Sequence, residues 1–129
     1  MNRSTADMAD LLVVEDNKMT RQVFCRVATH LGHTVRSAST FHKACKEINT
    51  RAPDLVLTDW DLSKNDVSDG VDVAKFSLLN NPFTHVVMIT GNDLDRLKHQ
   101  TKSLPISAYL RKPVDLSDLR YVLKEVLQS

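Results

Sequence analysis

The chain lacks nearly every feature that would send it into a membrane or out of the cell. Two cysteines in 129 residues are too few for a disulfide scaffold, so free thiols in a reducing compartment are expected. No apolar run approaches the roughly 20 residues of a membrane span. The polar start, with Asp7 and Asp10, does not have the form of a signal peptide. A formal net charge of +1 gives no electrostatic reason to invoke nucleic acid or a membrane surface. Repeats, low-complexity tracts and internal linkers are also missing. What remains is one cytoplasmic domain, long enough to bury about two-thirds of its unfolded surface. Residues 1–9 read as a flexible arm and residues 10–129 as the domain.

The chain is organised around the stretch DLVLTDWD at 54–61. A short apolar run bounded by polar residues predicts a strand buried on both faces. Such a strand delivers Asp59 to its carboxyl end, where open α/β sheets bind ligands. The pattern occurs earlier, where LLVV at 11–14 runs into Glu15 and Asp16. Two buried strands ending in carboxylates predict one site holding three or four acids. Like charges that close need a cation to neutralise them. A divalent metal site is the first inference.

In chain order, the first strand is expected over 11–15. Asp16 or Asn17 caps a helix running to about Leu31, with Phe24, Val27, Ala28 and Leu31 at helical spacing, and Gly32 stops it. Residues 34–38 form a weaker strand whose central Arg36 suits a sheet edge. Thr40 caps a second helix with Phe41, Ala44, Cys45 and Ile48 on its stripe. A polar, acidic loop spans 60–70, and a third helix follows at about 71–79. The strand at 85–90 ends at Thr90. Asn92 or Asp93 caps a fourth helix, weakly held because only Leu94 and Leu97 anchor it. A last strand is expected over 106–110 and a last helix, carrying Leu116, Leu119, Leu123, Val126 and Leu127, over 115–128. Strand then helix, five times, predicts an α/β fold with a doubly wound, five-stranded parallel sheet and right-handed crossovers.

Each central strand then ends in a residue suited to an anion or a metal: Glu15 and Asp16, Asp59 and Asp61, Thr90, and Lys112. In a doubly wound sheet these ends share one edge. Hard carboxylates with room for water suit Mg²⁺. Lys112 and the Thr90 hydroxyl become useful if a phosphoryl group arrives. Carboxylate nucleophile, metal and lysine together are the parts of phosphoryl transfer.

Glu15-Asp16, Asp59, Thr90-Gly91 and the segment Tyr109 to Pro113 resemble the receiver domain of two-component response regulators, over about residues 10–128. The resemblance implies a flavodoxin-like (βα)5 fold with sheet order 2-1-3-4-5, which the polar second strand supports. It implies that Asp59 accepts a phosphoryl group from a histidine kinase or histidine phosphotransfer protein. It implies that Asp16, Asp59 and the backbone carbonyl of Asp61 ligate Mg²⁺, with Glu15 reaching it through water. Thr90 would close on the phosphoryl group, Lys112 would pair with it, and Tyr109 would be the switch aromatic. A downstream protein would then read the face of helix 4, strand 5 and helix 5. A cis bond before Pro113 is also implied. The chain departs from the family pattern after the acceptor, where the eleven-residue step from Asp59 to Gly70 contains no proline.

Two other readings compete. One is a receiver-like interaction module that takes no phosphate. The other is a haloacid-dehalogenase-like phosphohydrolase, suggested by Asp59-x-Asp61; that motif belongs on a first strand in a longer chain, and here it is on the third. A calcium loop over 59–70 is rejected, because Lys64 stands where glycine is needed and Gly70 where glutamate is needed. His30 and His33 read as solvated. Cys45 reads as core, and Cys25 lies on a helix covering the opposite sheet face, so the two are not expected to bond. Nothing after the last helix encodes an output domain, which leaves a stand-alone regulator or a portion of a longer protein. Asp61, as a fourth acid, is expected to lie near the metal with its carboxylate as well as its carbonyl if the strand ends there, unless the extra loop residues swing it outward.

Overall fold

The computed structural model describes residues 9–62, 69–91 and 93–128. The elements are β1 (Asp10–Val14), α1 (Lys18–His30), β2 (Thr34–Ala38), α2 (Phe41–Thr50), β3 (Leu55–Asp59), α3 (Gly70–Asn80), β4 (His85–Thr90), α4 (Leu94–Gln100), β5 (Ala108–Arg111) and α5 (Leu116–Gln128). All strand pairs are parallel, in the order β2-β1-β3-β4-β5. This is the doubly wound, flavodoxin-like arrangement expected from the sequence.

β1, β3 and β4 have apolar runs at 11–14, 55–57 and 86–89 because both of their faces are covered. Leu11, Val13, Leu55 and Leu57 face α1 and α5, where they meet Phe24, Val27, Leu119 and Leu123. Leu12, Val14 and Val56 face the other way, against Ala44 and Ile48 of α2 and Val73 of α3. Trp60, Val86 and Met88 continue that second layer to Leu97 of α4. Cys25 and Cys45 are free and belong to opposite layers, as the winding requires.

Local signals set most element ends. Asn17, Thr40, Asp69 and Asp93 each accept a hydrogen bond from a first-turn backbone N–H and so cap α1, α2, α3 and α4. Gly32 ends the α1 turn with φ of 96°, in the left-handed region that suits glycine. The Lys112–Pro113 bond is cis.

Several expectations need correction. β1 and β5 are shifted, since pairing with neighbours fixes strand ends: Glu15 still donates to Ala38 O at 3.0 Å but leaves the ladder, and β5 begins at Ala108. α3 is longer than predicted because Asp69 and Asp72 form a capping box before Gly70. Leu94 is half-buried, so Leu97 is the one buried residue of α4. Cys45 is half-buried rather than core. His33 is half-buried and its Nδ1 accepts from Ala9 N at 3.3 Å, so it is not simply solvated. Ala9 is buried, and the rest of the proposed arm lies outside the described residues. Asn92, the other proposed cap of α4, lies outside them too.

Candidate functional site

Register brings the acids together. Val14 pairs with Thr58, so the next residues, Glu15 and Asp59, leave β1 and β3 side by side. Asp59 in turn pairs with Ile89, and Thr90 with Arg111, which puts Thr90 and Lys112 at the same sheet edge. Carboxylate oxygens of Glu15, Asp16 and Asp59 all lie within 4.8 Å of one another. Glu15 and Asp59 are buried, and Asp16 stands at the exposed rim.

Lys112 answers this crowding from just past the end of β5. Its Nζ donates to Asp59 Oδ2 at 2.8 Å and to Glu15 Oε1 at 3.1 Å. The other oxygens also have donors: Asn17 N to Glu15 Oε2 at 3.0 Å, and Asp61 N to Asp59 Oδ1 at 3.3 Å. Burial nevertheless pushes the Asp59 carboxyl above its ordinary pKa; Lys112 and the Asp61 N–H pull it back without cancelling the effect. Loss of surrounding water, and then neighbouring Glu15, also raise Asp16. Burial works against the Lys112 ammonium, but Asp59 and Glu15 together outweigh it and hold its pKa above the usual lysine value.

The donor set fits a hard divalent cation. Three carboxylates face one ammonium, which leaves two negative charges unbalanced when all are ionised. Oxygen ligands with one exposed member, leaving room for water, are what Mg²⁺ prefers. Asp61 does not bring its carboxylate into this group. It is exposed, and it acts through space by raising both Asp59 and Asp69.

The surroundings of β3 and β5 include contacts that the sequence did not announce. Trp60 is buried, and the Arg96 guanidinium of α4 lies 5.8 Å from its ring centroid. Tyr109 is half-buried; its hydroxyl hydrogen-bonds Thr101, the residue after α4, and Lys98 Nζ lies 5.7 Å from its ring centroid. α4 is therefore clasped on both sides of Leu97 by a cation over an aromatic ring. Gly70 closes against the end of β3: its N donates to Trp60 O at 2.8 Å, and a Cβ there would fall 2.1 Å from Asp59 O. A groove of about 330 Å³ opens beside Lys112, between Met19, Val23 and Phe24 on α1 and Pro113 and Leu116. Sequence reasoning also missed Arg21, whose long side chain folds back on the β1–α1 turn.

A five-stranded parallel sheet with buried acids and a lysine at its carboxyl edge defines a class, and comparison with known proteins agrees. The family model described as the response regulator receiver domain matches residues 11–124, and the chain belongs to that family. It is thus a signalling domain of two-component systems rather than a conventional enzyme.

The phosphate regulon transcriptional regulatory protein PhoB of Klebsiella pneumoniae is 29% identical over 122 residues, which cover 92% of this chain and 51% of that protein. The chain therefore spans about half the length of the curated relative it matches. The receiver domain of NtrX from Brucella abortus is similar at 28% identity, with a TM-score of 0.84 over 93% of this chain and 99% of that one. Chemotaxis protein CheY4 of Vibrio cholerae shares the fold, with a TM-score of 0.83 at 23% identity over 92% and 98% of the two chains. No helix among the described residues is long and apolar enough to cross a membrane.

Proposed function

We propose that this receiver domain accepts a phosphoryl group on Asp59 from the phosphohistidine of a histidine kinase or histidine phosphotransfer protein, with Mg²⁺ as cofactor. The observation that carries the reading is the Lys112 ammonium bridging Asp59 Oδ2 and Glu15 Oε1 inside the acidic cluster. A structural ion pair needs one acid; a lysine shared by two, beside a third, suits a site where an anion comes and goes.

In the reaction, an Asp59 oxygen attacks phosphorus. The O–P bond forms as the P–N bond breaks, its electron pair returns to the imidazole nitrogen, and the product is an acyl phosphate. Lys112 stays charged because its pKa is held up, and it pairs with the transferred oxygens. The Thr90 hydroxyl, on the residue after the Ile89 that pairs with Asp59, would donate to the same group. Glu15, Asp16, Asp59 and the Asp61 carbonyl are the oxygens that would hold Mg²⁺, which when bound neutralises charge on the reacting groups. The apolar groove beside Lys112 offers the donor protein a foothold. Tyr109 and α4, clasped together, form the element that responds, and a downstream protein reads the α4–β5–α5 face.

Acetyl phosphate with Mg²⁺ tests the reading by intact mass. The wild type should gain one phosphoryl group and Asp59→Asn none. A gain that persists in Asp59→Asn would falsify the acceptor. No gain in the wild type would favour a module that binds partners without phosphate.

A further inference from the structure

Two of the three clustered acids, Glu15 and Asp16, are consecutive residues of one short turn between β1 and α1. Where their carboxylates point depends on how the peptide groups of that turn are oriented. Arg21, in the second turn of α1, reaches back to those groups. Its Nη1 donates to Glu15 O at 2.8 Å and, more weakly, to Asp16 O at 3.4 Å. The side chain is half-buried, and its one nitrogen, held in a planar, rigid guanidinium, reaches both oxygens. On the other flank, Asn17 N holds Glu15 Oε2, and Asn17 Oδ1 accepts from Thr20 N to start the helix. The turn is thus tied to the helix that follows it.

We propose that Arg21 is a positioning residue for the cation site: by fixing the Glu15 and Asp16 peptide oxygens it aims both carboxylates at Asp59 and so strengthens Mg²⁺ binding without touching the ion. The inference rests on reading the acidic cluster as a Mg²⁺ site.

Two effects of Arg21 on a cation have opposite signs, which makes the proposal decidable. Arg21 is a positive charge near a site for a positive ion, so by charge alone its removal tightens binding. By positioning, its removal loosens binding. Groups that orient metal ligands from behind commonly contribute ten- to a hundredfold in affinity. A half-exposed charge screened by water and salt contributes only a few-fold. Positioning therefore wins, and the net sign on removal is weaker binding.

The test is calorimetric titration of Mg²⁺ into the full chain as wild type, Arg21→Met, Arg21→Lys and Asp16→Asn, with a urea midpoint for each. Arg21→Met should bind about tenfold more weakly. Arg21→Lys keeps the charge but loses the reach and planar orientation of Nη1, and should also be weaker, by a few-fold. A role in stability alone would move the urea midpoint and leave the affinity where it was. Arg21→Met binding as tightly as wild type or more tightly, with Asp16→Asn still impaired, overturns the proposal and leaves the metal reading intact. Full affinity in Arg21→Lys overturns it as well, and decides the matter if Arg21→Met does not fold. Failure of the wild type to bind Mg²⁺ at millimolar concentration overturns both.

Discussion

The hydroxyls of Tyr109 and Thr101 share a hydrogen bond that ties the middle of β5 to the end of α4. Thr101 Oγ1 also bonds Leu97 O at 2.9 Å, so one buried hydroxyl serves both the helix and the strand. Thr101→Val and Tyr109→Phe should each destabilise the domain by about 1 kcal/mol. In a double-mutant cycle of urea unfolding the pair should show a coupling of similar size, because the loss of the Leu97 bond cancels. A coupling of zero would mean that the contact does not hold α4.

Gly70 and Gly91 both border the site, and their steric surroundings differ. A Cβ at Gly70 meets backbone atoms, Asp59 O at 2.1 Å and Trp60 Cα at 2.9 Å, which cannot turn aside. At Gly91 the nearest atoms are 3.7 Å away on the Lys112 side chain, an ordinary contact. Gly70→Ala should lose about 3 kcal/mol of stability and impair labelling of Asp59, while Gly91→Ala stays within about 0.5 kcal/mol of wild type. Equal urea midpoints for the two variants would contradict the close approach.

Acid should weaken the stabilising effect of Mg²⁺. Asp59 and Asp16 both titrate above their unfolded values, so the native state retains protons that the unfolded chain has released. Their contribution to stability is fully present below the unfolded pKa and is lost as pH rises through the folded pKa. A cation bound to the ionised acids reverses that loss. The rise in thermal midpoint produced by Mg²⁺ at about pH 7.5 should therefore shrink steadily towards about pH 5. A shift that stays constant across this range would sink the idea that the ion binds these carboxylates.

Arg36 and Arg51 both meet Asp10, at 2.9 and 2.8 Å, yet they should differ in weight. Arg36 is 17% exposed and also donates to Glu47 O and Arg51 O, at 2.7 and 2.8 Å. Arg51 is 61% exposed, where an ion pair contributes little. Arg36→Met should cost about 2 kcal/mol by urea denaturation, since backbone carbonyls lose a charged donor. Arg51→Ala should leave the urea midpoint almost unchanged. Similar losses for the two variants would show that burial is not what separates them.

Arg36 also marks where sequence reading stops. Its charge in a short strand announced a sheet edge, and β2 is one of the two edge strands. Its acceptors on α2 and the following turn could not be read, because nothing local specifies which distant carbonyls a long side chain will reach. The same division holds at the site. Apolar runs ending in acids put Glu15, Asp16 and Asp59 at strand ends, and the receiver resemblance supplied the order that makes β1 and β3 neighbours, so these acids and Lys112 were legible as a cluster. Arg21 carried no signal, since a basic residue on an amphipathic helix looks like any solvated charge. Asp61 misled: its position in sequence suggested a fourth clustered carboxylate, whereas the backbone past Trp60 turns its N–H to Asp59 and leaves its side chain at the surface. His33 misled likewise, because its partner is a backbone N–H 24 residues away.

Leu62 is buried at one end of the 63–68 segment, and at the other Gly70 is fastened to Trp60 O and pressed on the carbonyl of Asp59. The two attachment points are therefore set by the sheet and α3, independently of how many residues join them. Closing a somewhat longer or shorter connection between fixed ends changes the free energy only slowly with length. The stretch joining Leu62 to Asp69 can thus be changed in length and in chemistry while the Asp59 end of β3 keeps its place.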